Sequence, residues 1–173
     1  MITLNPEIKS LGNWCQLGFV AKDVNVMMDR LAAVGIGPFQ VYSMDTRNMQ
    51  GVNYRGAPAD YALKVAMAEM GSWTVEIIVP VRGGKNIYTE YLEKQPEGGL
   101  HHLGTYMTPS EYDGAYQYLE KLGYRQIQGG PIYGNDRQGR FDYFEADRQY
   151  GILLELLDMP EVYGQPDYVY PGR

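Results

Sequence analysis

Two glutamates stand where strands want apolar side chains. Glu155 lies within Ile152-Leu153-Leu154-Glu155-Leu156-Leu157, and Glu76 among Val75, Ile77, Ile78 and Val79. Both stretches read as strands that are apolar on both faces. An ionised carboxylate buried there costs on the order of several kcal/mol unless it is paired or bound to a cation. The chain has 2 histidines, the adjacent His101 and His102, and a glutamine, Gln16, opens another apolar stretch. Two carboxylates, an imidazole and an amide oxygen form a ligand set for a divalent ion such as Zn, Ni, Co, Mn or Fe(II). Each residue has an ordinary reading when taken alone. A strand glutamate can pair with an arginine or point outward at a sheet edge, and either histidine can be a satisfied buried residue.

A repeat in the chain draws these residues together. Gln16-Leu17-Gly18 begins one unit and His102-Leu103-Gly104 another. Each opens as a short apolar strand, turns through polar residues and enters a helix that ends at a glycine, Gly35 or Gly123. In the first helix Val24, Met27, Met28, Leu31, Ala32 and Val34 form a stripe near the 3.6-residue period, with Asp23 as N-cap. In the second, Ala115, Tyr118, Leu119 and Leu122 form the stripe, with Ser110 as N-cap and Asp113 three residues on. Strands are expected at 39–44, 62–70 and 72–79, and again at 125–129, 140–146 and 151–157, with turns at Gly71 and Asp147–Gly151. Gln16 and His102 thus open equivalent strands, and Glu76 and Glu155 sit inside equivalent last strands.

The expected organisation is α+β, with paired βαβββ modules forming a curled mixed sheet. One module spans 14–80 and the other 100–158, within one domain overall. Residues 81–99 form a linker with a short helix over 86–94, turning Ile87, Tyr91 and Leu92 inward. Residues 159–173 form a Pro-, Gly- and Tyr-containing tail without periodicity, expected to pack on a partner subunit or to be mobile.

Composition narrows the function. A net charge of −6 without clustered Lys and Arg argues against nucleic acid. Local basic pairs remain at Arg47 with Arg55 and at Arg82 with Lys85. No run approaches the roughly 20 apolar residues of a membrane span, and Met1 to Asn13 lacks a secretory pattern. The single cysteine, Cys15, excludes an internal disulfide and a multi-thiolate zinc site. It fits a reducing cytoplasm. The 16 tyrosines, flat and apolar with a polar tip, suit an organic-ligand pocket and a subunit interface equally.

Four segments carry a family likeness: Gly35-Ile36-Gly37-Pro38-Phe39, Gly98 to Gly104, Gly139 to Phe144 and Gly151 to Leu156. From about Trp14 to Asp158 the chain resembles the vicinal-oxygen-chelate superfamily, which includes glyoxalase I, methylmalonyl-CoA epimerase, bleomycin-resistance proteins and extradiol dioxygenases. Its wording is nearest the epimerase-like branch. The resemblance implies that the first and last strands of each module supply metal ligands, which by position are Gln16, Glu76, His102 and Glu155. Matching the two Leu-Gly steps selects His102 and leaves His101 pointing away. The set looks like that of animal glyoxalase I, but Val20 and Pro80 stand where that enzyme's glutathione clamp would lie. The absence of a first histidine separates the chain from extradiol dioxygenases.

The resemblance implies a metal-dependent lyase or isomerase that moves a proton next to a carbonyl of a small, largely apolar substrate, by isomerisation, epimerisation or elimination/hydration. Glu155 is the first choice for the base and Glu76 the second, and Tyr106, Tyr143 and Phe144 are expected to line the pocket. A homodimer is expected. The main alternative is a non-catalytic small-molecule binding protein on the same scaffold, as in antibiotic resistance. A second is a structural protein whose glutamates are neutralised by arginines.

Overall fold

The computed structural model describes residues 11, 13–133, 137–145, 151–161 and 164–171. In chain order the elements are β1 (Asn13–Val20), α1 (Val24–Ala32), β2 (Phe39–Asp45), a 3-10 turn (Thr46–Asn48), β3 (Asn53–Tyr54), β4 (Ala57–Pro58), β5 (Tyr61–Met70) and β6 (Trp73–Gly83). Then follow α2 (Ile87–Lys94), β7 (Gly99–Tyr106), α3 (Pro109–Lys121), β8 (Arg125–Tyr133), β9 (Gln138–Glu145), β10 (Leu153–Asp158) and β11 (Tyr168–Tyr170). The strands form one mixed 11-stranded sheet in the order β11-β2-β5-β6-β1-β7-β10-β9-β8-β3-β4. This is the expected α+β architecture. The expected strand end at Ala146, and the turn at Asp147–Gly151 apart from Gly151, lie outside the described residues.

Alternation along the strands sorts side chains between two faces. On one face α1 presents Val24 and Met28 to Phe39, Val41, Ala66, Ile77 and Val79. Likewise α3 lays Tyr112, Ala115 and Leu119 over Phe144 and Leu156. The other face gathers Tyr61, Leu63, Ile78, Tyr88, Phe141, Tyr143 and Leu157. Phe144, fully buried beneath α3, is therefore core and not part of a pocket, because it alternates with Tyr143.

Local chemistry sets the helix ends. Asp23 caps α1 as expected, accepting from the N–H groups of Asn25 and Val26. The start of α3 differs: Thr108, not Ser110, is the N-cap, since Pro109 takes the first helical position that suits its fixed φ. Glu111 closes that turn by accepting from the Thr108 N–H at 3.0 Å. In α2, Asn86 caps the N–H groups of Tyr88 and Thr89. Ile87 points inward as expected, Tyr88 is also buried, and Tyr91 and Leu92 are half-buried.

Two features depart from the sequence reading. The segment after β2 leaves one end of the sheet and enters the other, where β3 pairs with β8 through Asn53 opposite Gly129 and Tyr54 opposite Gln128. The tail, expected to pack on a partner or to be mobile, instead forms β11 against β2, with Tyr168 opposite Val41 and Tyr170 opposite Phe39. Asp167 locks it by accepting from Ser43 at 2.6 Å and from Lys64 at 3.1 Å.

The centre of the sheet is β6-β1-β7-β10, with β1 and β7 antiparallel and the outer pairs parallel. Two rows cross it. Glu76, Gly18, His102 and Leu153 form one; Thr74, Gln16, Gly104 and Glu155 form the other. The repeated Leu-Gly step therefore has a packing reason. A Cβ at Gly18 would fall 1.8 Å from the His102 ring, and one at Gly104 would fall 2.3 Å from Oε1 of Gln16. Gly18→Ala is expected to destabilise the protein by about 1–3 kcal/mol through forced overpacking against a ring with no room to move. Gly104→Ala is expected to cost less, since it first meets the flexible end of Gln16. Urea unfolding of the purified variants checks both.

Candidate metal centre

A bulge precedes each ligand-bearing position on the two central strands. On β1 the register passes from Trp14 opposite Thr105 to Gln16 opposite Gly104, leaving Cys15 as the extra residue. On β7 it passes from His102 opposite Gly18 to Leu100 opposite Phe19, leaving His101 as the extra residue. A bulge twists the strand and re-aims its side chains. The two bulges are repeat-equivalent, and each stands immediately before a predicted ligand.

Three of the four predicted ligands meet at this centre, and Gln16 lines the adjoining cavity with Glu76 and Glu155. The ligating atoms of Glu76, His102 and Glu155 lie within 4.8 Å of one another. Nε2 of His102 is 3.2 Å from Oε2 of Glu76 and 3.1 Å from Oε2 of Glu155. Neither approach is aligned as a hydrogen bond. Oε2 of both glutamates, Nε2 of His102 and Oε1 of Gln16 are all buried without a hydrogen-bond partner. Three orphaned ligand atoms of the right chemistry around one point, with an unpartnered amide oxygen on the same sheet row as Glu155, fit a divalent cation. Among the described residues, the ion pairs of Glu76 and Glu155 are with His102, and no arginine neutralises them.

The electrostatics follow from that crowding. Burial alone would lower the His102 pKa, but the Glu155 carboxylate, seconded by Glu76, outweighs it and raises the pKa to about 9. Burial raises the Glu155 carboxyl above the usual carboxylate range, and His102 opposes the rise. Gln16 is held by Tyr106, whose hydroxyl accepts from Nε2 at 3.1 Å, while Oε1 stays buried without a partner. Tyr106 therefore holds the Gln16 amide and is not among the residues lining the cavity, where a pocket wall was expected.

Gln16, Glu76 and Glu155 also line a cavity of about 300 Å³. Tyr143 lines it as expected and stands directly across from Glu155 on the neighbouring strand. Tyr88 donates to the Tyr143 hydroxyl at 3.2 Å, extending the line of polar groups. Tyr88 was not among the sequence candidates, because a buried tyrosine on a linker helix carries no periodic signal. His101 points away from the centre as expected, into a separate cavity beside α2, yet it still touches His102. The bulge brings its Nδ1 to 3.0 Å from Nδ1 of His102, in a site where it is only 3% exposed. The basic pairs noted in the sequence are largely occupied: Arg47 and Arg82 bind Asp45, and Arg55 bridges Glu90 and Glu145.

Comparison with known proteins follows this geometry. A hypothetical protein from Bacillus halodurans C-125 superposes with a TM-score of 0.60 at 15% identity, covering 88% of this chain and 98% of its own. Methylmalonyl-CoA epimerase from Mycobacterium tuberculosis gives 0.62 at 16% identity, covering 92% and 95%. A Streptomyces coelicolor methylmalonyl-CoA epimerase variant in complex with 2-nitronate-propionyl-CoA gives 0.59 at 17%, covering 89% and 99%. At these identities the likeness is one of fold. No curated protein matches the sequence. The family profile matches residues 15–144, most of the chain including the bulged strands and three of the four predicted ligands, and the protein belongs to the Glyoxalase/Bleomycin resistance protein/Dioxygenase superfamily.

Proposed function

We propose that this protein is a divalent-metal-dependent enzyme that moves a proton alpha to a carbonyl in a small, uncharged and largely apolar substrate. Gln16, Glu76, His102 and Glu155 would hold the ion. The observation that carries the reading is the convergence of three buried, unpartnered ligand atoms, from Glu76, His102 and Glu155, beside a cavity that Gln16, Glu76 and Glu155 line. A cation held there supplies Lewis acidity toward a substrate oxygen and so acidifies the neighbouring C–H. Glu155 is the first choice for the base. It borders the cavity, where a carboxylate oxygen without a hydrogen-bond partner is free to take a proton from a bound substrate, and Tyr143 stands across from it on the next strand. Glu76 reaches the same space from the other half of the sheet and is the second choice. Two such groups allow withdrawal by one and return by the other.

The cavity lining supports the substrate class. Met44, Met49, Met67, Leu63, Ile132 and Phe141 are among its apolar lining, and Ser43, Asn48 and Tyr133 add neutral polar groups. Among the described lining residues there is no lysine or arginine, and the added charge, Asp45, is engaged by Arg47 and Arg82. A phosphate-bearing or glutathione-bearing substrate would find no counter-charge there. A non-catalytic binder on this scaffold is the second reading. The retention of a full ligand set disfavours it, since a binder has no use for orphaned carboxylates.

Elemental analysis of the purified protein is expected to find about one divalent ion per chain. Its absence after metal supplementation would favour the binding reading. Glu155→Gln is expected to lower turnover by about 10²–10⁴-fold while the far-ultraviolet spectrum is unchanged. Turnover is read as deuterium uptake from D₂O into a panel of neutral hydroxycarbonyl and dicarbonyl compounds, and undiminished exchange would remove Glu155 from the role of base. Metal uptake must also displace the proton that His102 holds up to about pH 9. Apparent affinity is therefore expected to rise with pH until about 9 and level off above it, with about one proton released from His102 per ion. Calorimetry in buffers of different ionisation enthalpy reads the released proton.

A further inference from the structure

We propose that His101 is a positioning residue that sets the tautomer of His102 and thereby presents Nε2 to the metal centre. The proposal rests on His102 being a metal ligand. It begins with the contact of two like atoms, Nδ1 of His101 and Nδ1 of His102, at 3.0 Å. At that distance one must carry a proton and the other must be bare. A ligating Nε2 on His102 must itself be bare, so the single proton of its neutral ring resides on Nδ1. That proton is then donated to His101, whose Nδ1 accepts and whose own proton resides on Nε2. On its far side His101 borders Ile87, Tyr91 and Lys94 of the linker helix around a second cavity. The two imidazoles thus fix each other, and the linker-helix tyrosines Tyr88 and Tyr91 pack against the outer one.

The fold holds this arrangement in place. The β7 bulge puts two consecutive rings within reach, where an unbulged strand would send them to opposite faces. The His101 and His102 rings meet edge to face, with planes at 90° and centroids 5.3 Å apart. Tyr88, Tyr91 and Tyr143 pack around His101 with ring centroids 5.5, 5.1 and 6.1 Å away. The other half of the repeat solves the same problem differently. Its bulge residue is Cys15, its ligand is an amide with no tautomer to choose, and Tyr106 holds that amide.

His101→Phe keeps the ring and removes the acceptor, whereas His101→Asn keeps an acceptor close to the position of Nδ1. Zinc affinity, measured by competition with a chromophoric chelator, is expected to fall about 10–100-fold in His101→Phe. His101→Asn is expected to recover most of the loss. Because the chain has 2 histidines, ¹⁵N spectra of the imidazoles resolve each ring. His101 is expected as the Nε2–H tautomer with a bare Nδ1 in both metal-free and zinc-loaded protein. In the zinc form, His102 is expected to carry its proton on Nδ1. A His101 protonated on Nδ1, or a His101→Phe variant within about twofold of wild-type zinc affinity, would overturn the proposal. Failure of the wild-type protein to bind zinc or other divalent ions would instead remove the metal reading. The metal-free spectrum would still decide whether the two rings are linked as described.

Discussion

Two carboxylates and an imidazole share a space that water hardly reaches, and much of the molecule follows from making that tolerable. Glu155 is 3% exposed and His102 fully buried. Without a cation, a proton on His102 offsets part of the repulsion, which is why its affinity for protons rises despite burial. With a cation, the same atoms become ligands. A low-dielectric pocket makes either solution stronger than it would be at the surface. Such a cluster is a poor way to stabilise a fold, so its presence argues for a task other than stability.

The sheet satisfies this constraint by symmetry. The antiparallel pairing of β1 with β7 sets each ligand across from the other strand's glycine, and the parallel partners β6 and β10 bring a glutamate to the same rows. The glycines are where side chains must be absent so that the neighbouring His102 and Gln16 can lie flat over them. A second layer stands behind them: His101 against the imidazole, Tyr106 against the amide, and Tyr143, bonded to Tyr88, across from Glu155.

The residues at the centre were legible in the sequence because they break local rules. A glutamate inside Ile152 to Leu157 contradicts its surroundings, and the repeated Leu-Gly step ties Gln16 to His102. The helices were legible from their stripes and from Asp23. What escaped has a common cause, since it depends on partners far away in sequence. The short β3 strand finds its neighbour only across the whole sheet, and the tail acquires strand structure only from the edge of β2. The contact of His101 with His102 depends on a bulge, an irregularity of pairing that alternation alone cannot reveal. Phe144 and Tyr143 are adjacent aromatics that no pattern within one strand could assign to faces. The α3 cap was misplaced by two residues because Pro109 favours the first helical position more strongly than Ser110 favours the cap.

The path of the chain after β2 ties the ribbon at its rim as well as at its middle. The first half holds the second through the β1–β7 seam and again through the β3–β8 pairing, and the covalent connection through α2 is a third tie. A backbone cut within 81–99 would therefore leave two polypeptides still laced along two separate lines of hydrogen bonds. Neither polypeptide alone would own a complete centre, because Gln16 and Glu76 would travel with one and His102 and Glu155 with the other. The molecule is built so that its chemistry would report on the reunion of two separately made fragments.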